Sequence, residues 1–379
     1  MEGTRRHIHY IDTLRVISAA GVIYMHTAAS ALRSGVLEGA PYVTRGWHLM
    51  NLLTSFAFTA VPLFFMISGY LLLSDEKTRD VSVLFHRRLP RLIVPLAFWT
   101  LMTAAWQSFV SGEGALGILA RLRDALYDPV ITPLWFMYAL IVLYLLSPFL
   151  YAGLHGLSGG GHKLVLAVIA LVSLRSALAA LLPDSAGQYF QLYALRSLQV
   201  LGGNLLLMLL GWYLGSWEKR LPKPLLAGVA AGTWLVIVVG TYVRTRLHGY
   251  YDQAFQTQSA GFEVLLAACV FLLAKQGEDK PNRRLSAVPV APLTLPMYLM
   301  HGLALLVLYR FGVDPQRFPA VIGVALLVFV GCFLASKTLA SIKPLCYLTT
   351  GTRFSAACAS CNWQWTAQKK KDHQKEADR

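Results

Sequence analysis

The chain has 379 residues, of which 56% are hydrophobic and only 14% charged, and its mean hydropathy of +0.52 is positive. Ordinary soluble domains carry about 25% charged residues, so the composition excludes a typical soluble protein and indicates an integral membrane protein. The formal net charge of +15 would suit a nucleic-acid partner. The basic residues instead lie mainly between apolar segments and on one predicted side of a membrane, so no nucleic acid is expected.

Ten apolar segments of membrane-spanning length recur along the chain and predict an all-α, polytopic membrane protein. They cover residues 11–31, 52–73, 92–111, 133–152, 164–182, 197–217, 224–243, 260–274, 289–309 and 319–340. With the N-terminus in the cytoplasm, most of the 34 lysines and arginines fall on the cytoplasmic side. The positive-inside rule therefore predicts that both termini are cytoplasmic. The loops on the opposite side are expected to be short.

Two regions are predicted within the chain. Residues 1–345 form the transmembrane domain, and residues 346–379 form a polar, basic cytoplasmic tail that ends in KKKDHQKEADR. The five cysteines give no disulfide framework, and the tail pair Cys358 and Cys361 stands alone, without the second pair of a metal site. No metal is predicted.

The first segment, Tyr10–Ser30, carries Asp12, Arg15 and His26. Eleven residues separate Arg15 from His26, about three helical turns, so both lie on one stripe about 16 Å apart along the axis. Asp12 precedes Arg15 by three residues and can pair with it. Deep ionisable side chains mark functional sites, and His26 is suited to accepting and returning a proton. The alternatives are a packing histidine and an Arg15 that snorkels to the headgroups.

Two further features follow in the second and third segments. Ser68 and Gly69 lie within the apolar run Val61–Leu73, where small residues allow helices to approach closely. Arg87, Arg88 and Arg91 then cluster at the cytoplasmic mouth of the third segment, in the sequence FHRRLPR. Such a cluster is usually a topology signal, but guanidinium forks also bind phosphate bidentately, so a phosphate clamp is the second interpretation.

The fourth, fifth and ninth segments contain the remaining candidates. Trp135 lies at the outer end of the fourth segment, where an aromatic belt is expected without any function. Arg175 lies deep in the fifth segment and needs a partner or a wet cavity. Tyr298 and His301 share a face of the ninth segment. His301 lies at a depth similar to that of His26, so the two histidines are expected to share a cavity, with a packing histidine as the alternative.

These segments together resemble the acyltransferase-3 family of membrane proteins. The resemblance rests on the Arg15–His26 spacing, which matches an R-x10-H pattern, and on four further runs in the same order. These are PLFFMISGYLL, the R-x-x-R of Arg88 and Arg91, LWFMYALIVLYLLSP and PMYLMHG. Within the family, the chain is similar to stand-alone surface-polysaccharide O-acetyltransferases of the enterobacterial common antigen type.

The resemblance implies a multi-pass enzyme of the bacterial inner membrane that uses acetyl-CoA and a carbohydrate hydroxyl, surrounded by membrane lipids. It implies that His26 is the catalytic histidine, with Arg15 and its neighbour Asp12 as companions. It also implies that Arg88 and Arg91, with the adjacent Arg87, bind the coenzyme phosphates. His301, Tyr298, Ser68, Trp135 and Arg175 are the candidate pocket residues. His26 is expected to act either as a base or as a covalent carrier.

Two other functions remain open at this point. Deep histidines and arginines also serve proton coupling, so a transporter or flippase of a glycan precursor is the main alternative. Against it, the sequence has neither an inverted repeat nor paired broken helices. An N-acetyltransferase with the same donor is the other alternative. The sequence also leaves open a homo-oligomer.

Overall fold

The computed structural model describes residues 8–36, 43–182, 193–277 and 290–352, with the backbone alone for 193–202. Within these ranges the chain is helical, apart from one isolated bridge between Val36 and Val43. The helices are α1 His9–Ser34, α2 Arg45–Ala57, α3 Ala60–Leu73, α4 Pro90–Ser111, α5 Gly114–Asp124, α6 Trp135–Gly156, α7 Gly159–Leu181, α8 Tyr193–Ser216, α9 Lys223–His248, α10 Gly261–Gln276, α11 Thr294–Arg310, α12 Phe318–Ser341 and α13 Lys343–Thr350.

The predicted all-helical fold is therefore confirmed for the described residues. Seven of their segments are long and apolar enough to cross a membrane by length and composition. They are Arg45–Leu73, Val81–Ser111, Thr132–Gly156, Gly159–Leu181, Lys223–His248, Ala291–Arg310 and Phe318–Ser341. The predicted segments that correspond to α1, α8 and α10 are helical but are not among the seven. The count of ten spans and the cytoplasmic location of both termini stay predictions, as does the boundary at residue 345.

The second predicted segment is divided into α2 and α3, with a break at Phe58 and Thr59. Pro62 explains this break, because a proline ring clashes with the carbonyl of the residue four positions earlier, which here is Phe58. The Thr59 hydroxyl donates to the Phe56 carbonyl at 2.6 Å and so satisfies one acceptor at the end of α2. The divided segment still has the length needed for one span.

One helix was not expected from the sequence. The connection between α4 and α6 was predicted to be short, but it contains α5. Leu116 and Leu119 of α5 are 80% and 62% exposed in the isolated chain. An amphipathic helix with an exposed apolar face is typical of the membrane–water interface.

Helix α1 lies at the centre of the fold and packs on α2, α3, α10, α11 and α12. Its inward residues, among them Leu14, Ser18, Val22 and Ile23, are almost fully buried. This position places the ionisable stripe of α1 in the protein interior, as its cost in lipid requires.

The small residues of α3 support a second close contact, with α8. A Cβ atom added at Gly69 would lie 1.8 Å from the Met208 carbonyl oxygen, and one added at Gly211 would lie 2.1 Å from that of Met66. The two backbones therefore approach through reciprocal glycines, as the sequence predicted for Gly69.

Candidate active site

His26 and His301 lie side by side in the interior, on α1 and α11. Their ring centroids are 5.3 Å apart, with an angle of 39° between the planes. His26 is half-buried and His301 is fully buried. The pairing joins residues far apart in sequence and follows from the packing of α11 against α1. Two adjacent imidazoles can hold and exchange one proton.

The backbone around His301 selects its tautomer. Nδ1 of His301 contacts the carbonyl oxygen of Tyr298, three residues earlier in α11. Because a carbonyl oxygen only accepts, Nδ1 must carry the proton, which leaves a lone pair on Nε2. Among the described residues, Nε2 is buried and has no hydrogen-bond partner. The free lone pair is available to the His26 ring or to a substrate hydroxyl beside it.

Aromatic side chains form the wall next to this pair. Tyr298 lies 5.5 Å from both His301 and Phe136, and 6.3 Å from Phe64, between ring centroids. Its hydroxyl donates to the Pro133 carbonyl at the start of α6. The predicted pocket residue Tyr298 is therefore a wall residue whose hydroxyl is already engaged. The ring centroid of Trp135 lies 6.4 Å from that of Phe65.

Arg15 lies towards the other end of α1 and bonds to Asp12, with 3.3 Å between Nη1 and Oδ1. The pair predicted from the sequence spacing is therefore present. The Arg15 side chain is 35% exposed. About 16 Å of helix separates Arg15 from His26. Arg15 and the His26 imidazole are therefore placed to contact different parts of a substrate.

Of the three clustered arginines, Arg88 is held in place by its neighbours. Its Nη2 donates to Asp75 Oδ2 at 2.8 Å, and its Nη1 donates to Thr78 Oγ1 at 2.5 Å. Both partners lie in the turn that follows α3. Arg87 and Arg91 are exposed. The sequence proposed Arg88 and Arg91 as a clamp with Arg87 beside them, whereas the structure has Arg88 oriented and the other two exposed.

Tyr144 of α6 interacts both with Arg15 and with the arginine cluster around Arg88. Its phenol interacts electrostatically with Arg15, Arg88 and Arg91, which come from α1, from the turn before α4 and from α4 itself. Three positive side chains therefore act electrostatically on one half-buried phenol. Sequence reasoning placed Tyr144 within a motif but gave it no role, because its neighbours are more than fifty residues away.

The other two predicted pocket residues lie on α3 and α7. Ser68 is half-buried on α3, next to the glycine that contacts α8. Arg175 is buried on α7, whose main contacts are with α8 and α10. The assignment of both residues to a pocket beside His26 and His301 stays a prediction.

A polar cluster lies near the His26 end of α1 and was missed in the sequence. Nε2 of Gln256 donates to Asn51 Oδ1 at 2.9 Å and to Ser55 Oγ at 2.7 Å, and Tyr251 donates to Gln256 Oε1. The Tyr24 hydroxyl donates to the Met50 carbonyl at 3.4 Å. Since Tyr24 precedes His26 by two residues on α1 and Met50 precedes Asn51 on α2, the cluster lies near His26. Uncharged residues two hundred positions apart give no local signal of such a cluster.

The same side of the fold contains a buried acid. Glu263 is fully buried at the start of α10, and its two carboxyl oxygens have no hydrogen-bond partner among the described residues. It interacts electrostatically with Tyr251. Across the ranges that the structure covers, no group of three or more His, Cys, Asp or Glu side chains could hold a metal ion.

Comparison with known proteins shows the family. The Acyl_transf_3 family model, described as an acyltransferase domain, matches residues 8–337. No curated protein and no solved structure matches the chain. The matched region includes the histidine pair, Arg15, Tyr144 and the Arg88 turn. Because the match extends over most of its length, the chain belongs to the acyltransferase-3 family of multi-pass membrane acyltransferases.

Proposed function

We propose that this protein is an O-acetyltransferase of the bacterial inner membrane, which moves an acetyl group from cytoplasmic acetyl-CoA to a hydroxyl of a surface polysaccharide or its lipid-linked precursor. The observation that carries the proposal is the His26–His301 pair, 5.3 Å apart in the protein interior. An acyl transfer to a hydroxyl needs a group that removes the hydroxyl proton, and a neutral imidazole suits this task near neutral pH.

The arginines support the choice of donor. Coenzyme A carries three phosphate groups, and Arg15, Arg88 and Arg91 act electrostatically on Tyr144 at the end of α1 opposite to His26. Guanidinium groups bind phosphates through paired hydrogen bonds. An anionic donor bound there would direct its acyl end along α1 towards the histidines.

The proposed chemical step accounts for the proton of the acceptor hydroxyl. The acceptor hydroxyl loses its proton to His26 while its oxygen bonds to the acetyl carbon. The carbon–sulfur bond then breaks, and the same proton passes to the leaving thiolate. His301 supplies the second imidazole. Its Nδ1–H is engaged by the Tyr298 carbonyl, and its Nε2 has no hydrogen-bond partner among the described residues. It can therefore accept the N–H of His26 and leave the other His26 nitrogen free for the hydroxyl.

The polar cluster of Asn51, Ser55 and Gln256 supports a polar acceptor. It lies at the level of Tyr24, near His26, where an apolar acceptor would find no benefit from amide groups. Hydroxyl-rich acceptors exchange hydrogen bonds with such side chains.

The proposal is tested with labelled acetyl-CoA and membranes that contain the full chain. Wild-type protein should transfer label to the glycan, as an ester released by mild alkali and seen by NMR. His26→Ala should abolish the transfer, while His155→Ala, which removes an exposed histidine at the end of α6, should not. Normal transfer by correctly inserted His26→Ala protein would overturn the assignment. A glycan that keeps its ester-linked acetyl groups in a deletion strain would overturn the proposed acceptor.

A further inference from the structure

Three buried polar atoms lie between the arginine end of the site and the histidine pair, and none has a hydrogen-bond partner among the described residues. They are Ser18 Oγ on α1, and Trp99 Nε1 and Thr100 Oγ1 on α4. Their residues are 0%, 6% and 6% exposed. An unmade hydrogen bond in such surroundings is destabilising, so three such atoms call for an explanation.

The three residues lie at similar distances from the starts of their helices. Ser18 follows the start of α1 by nine residues, and Trp99 follows the start of α4 by nine, so both lie about 14 Å along their helices. In the predicted topology the two helices run in the same direction. Arg15 and Arg88 lie below this level and His26 lies above it, about 26 Å along α1.

Helical spacing also places them on the faces that line the site. Ser18 lies between Arg15 and His26 on one stripe of α1, at intervals of three, four and four residues through Val22. Trp99 continues the buried stripe of Leu92 and Leu96 on α4. Helix α11, which carries His301, packs on both α1 and α4.

We infer that Ser18, Trp99 and Thr100 bind the amide groups of the pantetheine arm of an acyl-CoA. This inference rests on the proposed function. The arm links the coenzyme's phosphates to its thioester, and it carries two amides that lose water when it enters a membrane protein. The Trp99 N–H can only donate, which suits an amide carbonyl, while the two hydroxyls can donate to a carbonyl or accept from an N–H.

A role in ligand binding and a purely structural role predict different effects of substitutions at these three residues. Replacing an unsatisfied buried polar group by an apolar group of similar shape leaves the free protein as stable or makes it more stable. A residue kept for ligand binding therefore shows a gain or no change in thermal stability together with a loss of affinity.

The experiment measures the affinity of purified full-length protein in nanodiscs for two probes, coenzyme A and 3′-phosphoadenosine 5′-diphosphate. The second probe keeps the phosphates and lacks the arm. Ser18→Ala, Trp99→Phe and Thr100→Val should each weaken coenzyme A binding about 2- to 10-fold, the value of one ordinary hydrogen bond. Binding of the nucleotide probe should not fall in any of the three. The melting temperature without ligand should not fall in Ser18→Ala and Thr100→Val, which keep the side-chain shape.

The matched control is Thr103→Val on the same helix. The Thr103 hydroxyl donates to the Trp99 carbonyl at 2.8 Å and is therefore already satisfied, so its loss should leave coenzyme A affinity unchanged. Unchanged coenzyme A affinity in all three test variants, or an equal loss for both probes, would overturn this inference alone. A wild-type protein that binds neither probe would overturn the donor assignment and this inference with it.

Discussion

Arg88 donates to Asp75 across 2.8 Å and to Thr78 across 2.5 Å, so two of its five N–H groups are fixed by the turn that follows α3. The Arg88 side chain is only 13% exposed, against 30% for Asp75. Asp75 is thus a positioning residue that orients the Arg88 guanidinium.

Removing Asp75 tests this positioning role. Asp75→Ala should raise the Kd for coenzyme A several-fold, because Arg88 loses the partner that orients it, and Asp75→Asn should restore most of the affinity because an amide oxygen still accepts. The surface pair Arg79–Glu76 is the control, with 3.4 Å between its atoms and both side chains about 70% exposed. Since such pairs contribute about 0–1 kcal/mol, Glu76→Ala should leave the affinity unchanged. Equal affinity in Asp75→Ala and wild type would contradict the prediction.

The clustered arginines should differ in their effects. Arg88→Ala should raise the KM for acetyl-CoA most, Arg91→Ala less and Arg87→Ala least, because Arg88 is oriented, Arg91 reaches the Tyr144 region and Arg87 is exposed without such a link. The double variant of Arg88 and Arg91 should weaken donor binding before it affects turnover. Steady-state kinetics at two salt concentrations checks this order, since exposed charges are screened by salt. Equal effects of all three substitutions would return them to a topology role.

His301 should affect turnover more than binding. His301→Ala should lower kcat by about 10²- to 10⁴-fold, the range for a lost acid–base group, while KM for acetyl-CoA changes little because the arginines lie at the other end of α1. A conservative His301→Gln variant should fold, since it keeps a polar side chain near the Tyr298 carbonyl. If His301→Gln retains wild-type kcat, the second histidine is a packing residue.

The glycines of α3 and α8 should be far less tolerant than those elsewhere. Gly69→Ala should sharply lower the melting temperature in detergent, because its Cβ would overlap the Met208 backbone. Gly153→Ala on α6 is the matched control, since a Cβ there meets nothing within 4 Å. In a helix interior alanine is favoured over glycine by about 1 kcal/mol, so the control should hold or gain stability. Similar losses in both variants would contradict the close α3–α8 contact.

Much of the fold could be read from local pattern. Apolar segments, the Arg15–His26 stripe and the basic cluster at Arg88 are properties of nearby residues, and each appears where predicted. Even the break between α2 and α3 has a local cause in Pro62, although hydropathy alone concealed it. The helix α5 was missed because it has only 11 residues, too few to span a membrane, and carries charged residues in its last turn.

The candidate site was only partly predictable. The sequence named both histidines, and their equal depth suggested a shared cavity, but only the packing of α11 on α1 shows them 5.3 Å apart. Ser68 and Arg175 were equally plausible by depth and are positioned by other helix contacts. The depth of a residue in the membrane follows from its distance along a helix. The neighbours that its side chain contacts depend on which helices pack around that helix.

Hydrophobicity and spacing by themselves determined that this chain is a helical membrane protein with ionisable residues on its first helix. These properties depend on transfer from water to hydrocarbon and on helical geometry, both of which act within one segment. Only the tertiary structure decided that Arg88 is held by Asp75 and that Tyr144 interacts electrostatically with three arginines. It also decided that polar atoms of Ser18, Trp99 and Thr100 have no hydrogen-bond partner among the described residues. Those facts depend on contacts between segments that are distant in sequence, and such contacts form only when the helices pack together.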